Sequence, residues 1–134
     1  MNAPLIIANI LTFLGIIAHI FIADKEIKLI EPLPSTDNWI TKQEKWTMVR
    51  GAFHLVTVDC ICLTVVLGII NFTDLIPVGS EQIILKFLAL YMVLLACCWL
   101  IVLSISKQFT KIYFKLWQWT YFIITGGLIY LGTI

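Results

Sequence analysis

The sequence predicts an all-α integral membrane protein, a four-helix transmembrane bundle with antiparallel up-down topology. Two observations lead there. Sixty per cent of the 134 residues are hydrophobic and only 13% are charged, which is about half the charge of an ordinary soluble domain. The apolar residues are also gathered into four runs rather than spread along the chain. Each run approaches the ~20 helical residues needed to cross a hydrocarbon core about 30 Å thick. Backbone groups in lipid must pair within their own segment, so the runs are helices. The spans cover approximately residues 5–23, 46–72, 83–106 and 113–134 and use most of the chain, leaving one membrane domain and no room for a separate soluble one.

The first span, Leu5 to Ala23, carries no charge, and no basic stretch precedes it. That reads against a cleaved signal peptide. Asp24 to Glu31 either continue this helix past the membrane or lie on its surface, until Pro32 and Pro34 break the segment. Thr41-Lys42-Gln43-Glu44 has the capping-box pattern, which starts the second helix near Lys42 in water, with membrane entry near Arg50. From Gly51 to Phe72 the ionisable groups are His54 and Asp59, apart from thiols. Pro77-Val78-Gly79-Ser80 marks the second turn. The third apolar run begins at Ile83, is interrupted by Lys86, and is charge-free from Phe87 to Ser106. The fourth, Leu116 to Ile134, has no charge. Trp39, Trp46, Tyr113, Trp117 and Trp119 fall where an interfacial aromatic belt belongs.

Charge sets the orientation. The first loop region holds Lys25, Lys28, Lys42 and Lys45, with Arg50 behind it, and the third holds Lys107, Lys111 and Lys115. The N-terminus and the second loop, Asn71 to Gln82, have no Lys or Arg. Positively charged flanks stay on the cytoplasmic side, so loops one and three face the cytoplasm and both termini lie outside, the arrangement of a bacterial inner-membrane protein. The lysines are membrane-border markers, and the net charge of +1 gives no reason to expect nucleic acid as a partner. The lipid bilayer is the expected surrounding, with a homodimer or a larger membrane complex as the assemblies open to such a bundle.

Residues 50–60, RGAFHLVTVDC, set an arginine, a histidine and an aspartate in an otherwise apolar run. His19 lies four residues before Ala23 and His54 four residues after Arg50. At 1.5 Å per residue both imidazoles sit about 6 Å inside the cytoplasmic border. Helices joined by a loop tend to pack together. At 100° per residue, Thr12, Gly15, His19, Ala23 and Glu26 share a face of the first helix. Trp46, Arg50, His54, Thr57 and Thr64 share one on the second, and Lys111, Gln118, Tyr121, Thr125 and Gly132 one on the fourth. Polar stripes in membrane helices turn toward the bundle interior. The expectation is a pocket lined by His19, His54, Gln118 and Tyr121, with Arg50 and Glu26 at its mouth, where they could pair.

Asp59 stands about 140° around the helix from His54 and near the bilayer midplane. An ionised carboxylate there is costly. It either bonds a neighbouring helix as the neutral acid or carries protons or ions. The histidine pair can serve as an interhelical hydrogen-bonding device, ligate a transition metal or haem, or transfer protons near neutral pH. His19 and His54 supply half of a tetrahedral metal shell but both axial positions of a haem. Cys60, Cys62, Cys97 and Cys98 all lie within spans with no CxxC, so exchangeable-thiol chemistry is not expected. Small apolar packing is their expected role, with a disulfide between the second and third helices as a minor alternative.

The order His19, Glu26, Pro32-Leu33, Arg50 and His54 resembles small uncharacterised bacterial four-helix integral membrane proteins. Those show a His, a Glu, Pro-Leu and then Trp-His opening the second helix; here Phe53 replaces the Trp. The resemblance covers the first half of the chain and implies a fold and a shared His19/His54 site, but no reaction. Small multidrug exporters carry a Glu in their first span, and this first span has none. Haem-bearing anchor subunits of quinone-linked dehydrogenases differ in spacing. Three functional classes follow: a redox or metal protein using His19 and His54, a small proton-coupled transporter using His54 and Asp59, or an accessory or assembly subunit of a larger membrane complex.

Overall fold

The computed structural model describes residues 2–106 and 112–134, with the backbone alone at Val78 and Ile112. The described residues are helical, with no strand among them. Helix α1 (Ala3–Ala18) runs through a π-helical turn (His19–Ala23) into α2 (Asp24–Lys28). Then come α3 (Trp39–Phe72), α4 (Val78–Ile105), α5 (Ile112–Lys115) and α6 (Gln118–Leu131).

Three helical stretches among the described residues are long and apolar enough to cross a membrane: Ala3–Lys28, Trp39–Phe72 and Gly79–Ile105. The shortest has 26 residues, or about 39 Å of helix, more than the hydrocarbon thickness. Their outward faces are apolar: Phe13, Phe21, Leu55, Phe87, Leu94 and Ile101 are all more than half exposed. Such a surface suits lipid rather than water. The C-terminal region differs from the expected span. Its longest helix, α6, has 14 residues, or about 21 Å. The helical run is interrupted by a turn at Leu116 and Trp117, where Trp117 has φ −80° and ψ 6°. Lys107 and Lys111, two of the three basic residues expected to mark this loop, lie outside the described residues.

Two boundaries depart from the sequence reading. The first helix does continue past Ala23, as one of the two expectations had it, but through the π turn. Helix α3 begins at Trp39, before the Thr41–Glu44 capping box, which is therefore helical throughout. Asn38 explains the earlier start. Its φ of 56° makes the left-handed turn that asparagine tolerates, and its carbonyl accepts the Lys42 amide at 3.1 Å. Pro77, with ψ 140°, stands immediately before α4, where the turn was expected.

The chain divides into two compact units, residues 12–65 and residues 1–11 with 66–134. In the second, α6 packs along α4. Gly126 permits this close approach: a Cβ there would stand 3.0 Å from Met92 Cβ and 3.2 Å from the Ala89 carbonyl oxygen. Leu85, Ala89, Met92, Ala96 and Ile129 are buried in this unit. Asn2 Nδ2 donates to the Gly132 carbonyl at 2.7 Å, and a Cβ on Gly132 would collide with Leu5, so the N-terminal turn seats against the end of α6.

The unit of residues 12–65 is held by polar rungs between the first helix and α3. The Thr64 hydroxyl donates to the Cys60 carbonyl at 2.8 Å, and its oxygen lies 2.9 Å from the Thr12 hydroxyl. His19 Nδ1 lies 2.8 Å from Thr57 Oγ1. The two rungs are seven residues apart on each helix, which is about two turns, so α1 and α3 meet in antiparallel register. Trp46 is buried, and its indole N–H donates to the Ile27 carbonyl at 3.0 Å. Its burial agrees with the face that Trp46 was expected to share with Arg50 and His54.

Candidate functional site

The site is centred on a residue that the sequence reading passed over. Asp24 is 8% exposed. Three nitrogen groups meet its carboxylate. Lys28 Nζ lies 2.6 Å from Oδ2, Arg50 Nε 3.2 Å from Oδ1, and His54 Nε2 3.3 Å from Oδ1. Arg50 adds a longer contact, Nη2 to Oδ2 at 3.5 Å, and its guanidinium lies 5.2 Å from the centre of the Trp46 ring. Lys28 comes from the same helical turn as Asp24, while Arg50 and His54 come from one face of α3, four residues apart.

The π turn brings Asp24 to this face. In an uninterrupted α-helix Asp24 would stand about 140° from His19. An i→i+5 turn takes up one residue more than an i→i+4 turn and brings that angle to about 40°. The Asp24 amide donates to the His19 carbonyl, the i→i+5 bond itself. The same offset carries Glu26 the other way. Glu26 is exposed, and the ion pair expected between Arg50 and Glu26 is made with Asp24 instead.

His19 and His54 are brought together around Phe53. The His19 ring stacks on Phe53 with centroids 3.8 Å apart and 14° between planes. The His54 ring meets Phe53 edge-on at 5.5 Å. The residue that stands where the resembled proteins have Trp is thus in contact with both imidazoles. Thr57, one turn beyond Phe53, holds His19 Nδ1 and is buried. That bond fixes the ring's orientation, and Phe53 covers one of its faces. The His54 side chain is 43% exposed, so it keeps access to the surroundings while touching Asp24.

Gln118 and Tyr121 belong to the other unit, where the Tyr121 hydroxyl donates to the Leu11 carbonyl at 3.4 Å. Asp59 is partly buried on α3, five residues beyond His54. Among the described residues, no group of three or more His, Cys, Asp or Glu side chains is arranged to hold a metal ion. None of the four cysteines is in a disulfide; Cys60 is buried, as apolar packing requires, while Cys62, Cys97 and Cys98 are exposed.

The cluster therefore joins an anion flanked by two cations to a partly exposed imidazole. A second imidazole lies behind it, in contact with the same phenylalanine. Lys28, Phe53 and Thr57 complete its immediate surroundings. One signal for Asp24 was present in the sequence: an acid four residues before a lysine is a favourable helical pair. No protein-family model matches the chain, and no curated protein or solved structure does.

Proposed function

We propose that this chain is a small polytopic protein of the bacterial inner membrane that exchanges protons at its His–Asp cluster, on the cytoplasmic side. In this reading the chain crosses four times in antiparallel order, with residues 113–134 as the last crossing and both termini outside. The lysines of the first and third loop regions support that orientation. The observation that carries the functional reading is the contact of His54 Nε2 with Asp24 Oδ1 at 3.3 Å. An imidazole is the side chain suited to taking up and releasing protons near neutral pH. Arg50 and Lys28 also pair with that carboxylate, so the anion has cationic partners besides His54. His19 is the second group able to hold a proton, and Asp59 is the next carboxyl group along α3.

Metal or haem ligation is less well supported. His54 directs Nε2 at Asp24, and His19 holds Thr57 through Nδ1. Those contacts suit proton transfer as they stand, whereas a haem iron ligated by His54 Nε2 would have to displace the Asp24 carboxylate from that nitrogen.

The test is proton flux. Purified protein in liposomes loaded with a pH-sensitive dye should collapse an imposed pH gradient faster than empty liposomes. The double variant His19→Gln/His54→Gln keeps hydrogen bonding but does not titrate near neutrality, and should abolish the difference. Equal flux from the native chain and the double variant would refute the proposal. A chain that is silent in this assay but co-purifies with a larger membrane protein would favour the accessory-subunit reading.

A further inference from the structure

The π turn holds one residue more than an α turn would use, and that residue decides which carboxylate faces α3. Relative to His19, an uninterrupted α-helix would place Asp24 at about 140° and Glu26 at about 20°. The π turn changes those angles to about 40° and about 120°. Burial follows the second set, with Asp24 buried and Glu26 exposed. The sequence thus carries two carboxylates two residues apart, each suited to the α3 face in a different helical register.

We propose that Glu26 is the alternate carboxylate of the cluster, and that α2 passes from one register to a second when the Asp24 charge is removed. In the π register Asp24 meets Arg50 and His54. In the α register α2 turns by about 100°, Asp24 leaves that face and Glu26 takes it. The Ile27 carbonyl that accepts the Trp46 indole belongs to the π register, and Glu26 assumes the place of Ile27 when the turn becomes α. Helix α2 has five residues and ends in a turn before Pro32 and Pro34, so the rotation moves a short element. The charged and titratable groups around it are few. Lys28 on α2 and Arg50 and His54 on α3 contact Asp24, His19 stands at the start of the π turn, and Lys25 and Glu26 are exposed. The contacts that Arg50 and His54 of α3 make with Asp24 hold the π register against the i→i+4 bonding that an α turn would restore. Removing the Asp24 charge releases it.

This inference takes the cluster of the proposed function as its site. Its test reads helix register, not proton flux, so either can fail without the other. Spin labels are placed at Lys25→Cys and Lys45→Cys, both exposed positions, in the full chain in bilayers, with exposed Cys62, Cys97 and Cys98 replaced by alanine. A side-chain tip at a helix radius of about 5–6 Å sweeps about 8 Å in a 100° rotation. With Asp24 present, pulsed electron resonance should give one inter-label distance. Asp24→Asn should add a second, displaced by several ångström, whereas Glu26→Gln should leave the single distance. Deleting Ile22 removes the extra residue and gives an α turn with Asp24 kept in place, so Asp24→Asn in that background should leave one distance. An unchanged distance in Asp24→Asn, or the same shift with Ile22 deleted, would overturn the inference. The comparison of native and Asp24→Asn chains decides it even where the deletion does not fold.

Discussion

At the scale of single residues, Asp24 should matter more than any other charge in the N-terminal half. Asp24→Asn leaves Arg50, Lys28 and His54 facing a neutral amide, and should lower the thermal unfolding midpoint in detergent by several degrees. Glu26→Gln, at an exposed position, should leave the midpoint nearly unchanged. A larger loss from Glu26→Gln would mean that Asp24 is not the partner of Arg50. Thr57→Val removes the hydroxyl that holds His19 Nδ1. It should destabilise by about 1 kcal/mol, the scale of hydrogen bonds between membrane helices, and the loss should vanish in a His19→Leu background, which has no polar atom to make this bond. His19, Arg50 and His54 were legible in the sequence because helical phase and depth are simple functions of position. Asp24 was not, because no residue in His19–Ala23 announces a π turn, and one residue of slip is enough to exchange Asp24 for Glu26. The partner of Trp46 was not legible either: a tryptophan near a membrane border can face lipid or bury its indole, and the Ile27 carbonyl decides.

Among the elements, the packing of α6 on α4 depends on one glycine and not on its neighbour. A side chain at Gly126 meets Met92 and the Ala89 backbone, whereas a Cβ at Gly127 meets nothing within 4 Å. Gly126→Leu should therefore cost about 1–3 kcal/mol, as over-packing does, and Gly127→Leu should be nearly silent in the same unfolding measurement. The three long helices were readable from long apolar runs with few charges, because the cost of placing charge in lipid writes itself directly into composition. Their ends were less readable. The capping-box pattern at Thr41–Glu44 is a statement about local hydrogen bonds, and the left-handed Asn38 supplied a start before it. The break at Leu116 and Trp117 had no proline or glycine to mark it, so a continuous fourth helix was the natural reading of a charge-free run.

For the whole molecule, the unequal spread of lysines predicts its orientation. An alkaline phosphatase domain fused after Ile134 should be active, and a green fluorescent protein fused there should stay dark, since the C-terminus is expected outside. The reverse pair of results would place the cluster of Asp24, Arg50 and His54 on the outer side and remove its cytoplasmic assignment. The central claim is that His54 shares its proton with Asp24 and with water at that border. It is tested most directly by nitrogen magnetic resonance on histidine-labelled protein in bilayers. The ring nitrogens of His54 should exchange hydrogen with bulk water, and their signals should move on Asp24→Asn while those of His19, held by Thr57, move little. His54 signals that are identical in the two proteins and protected from exchange would contradict it.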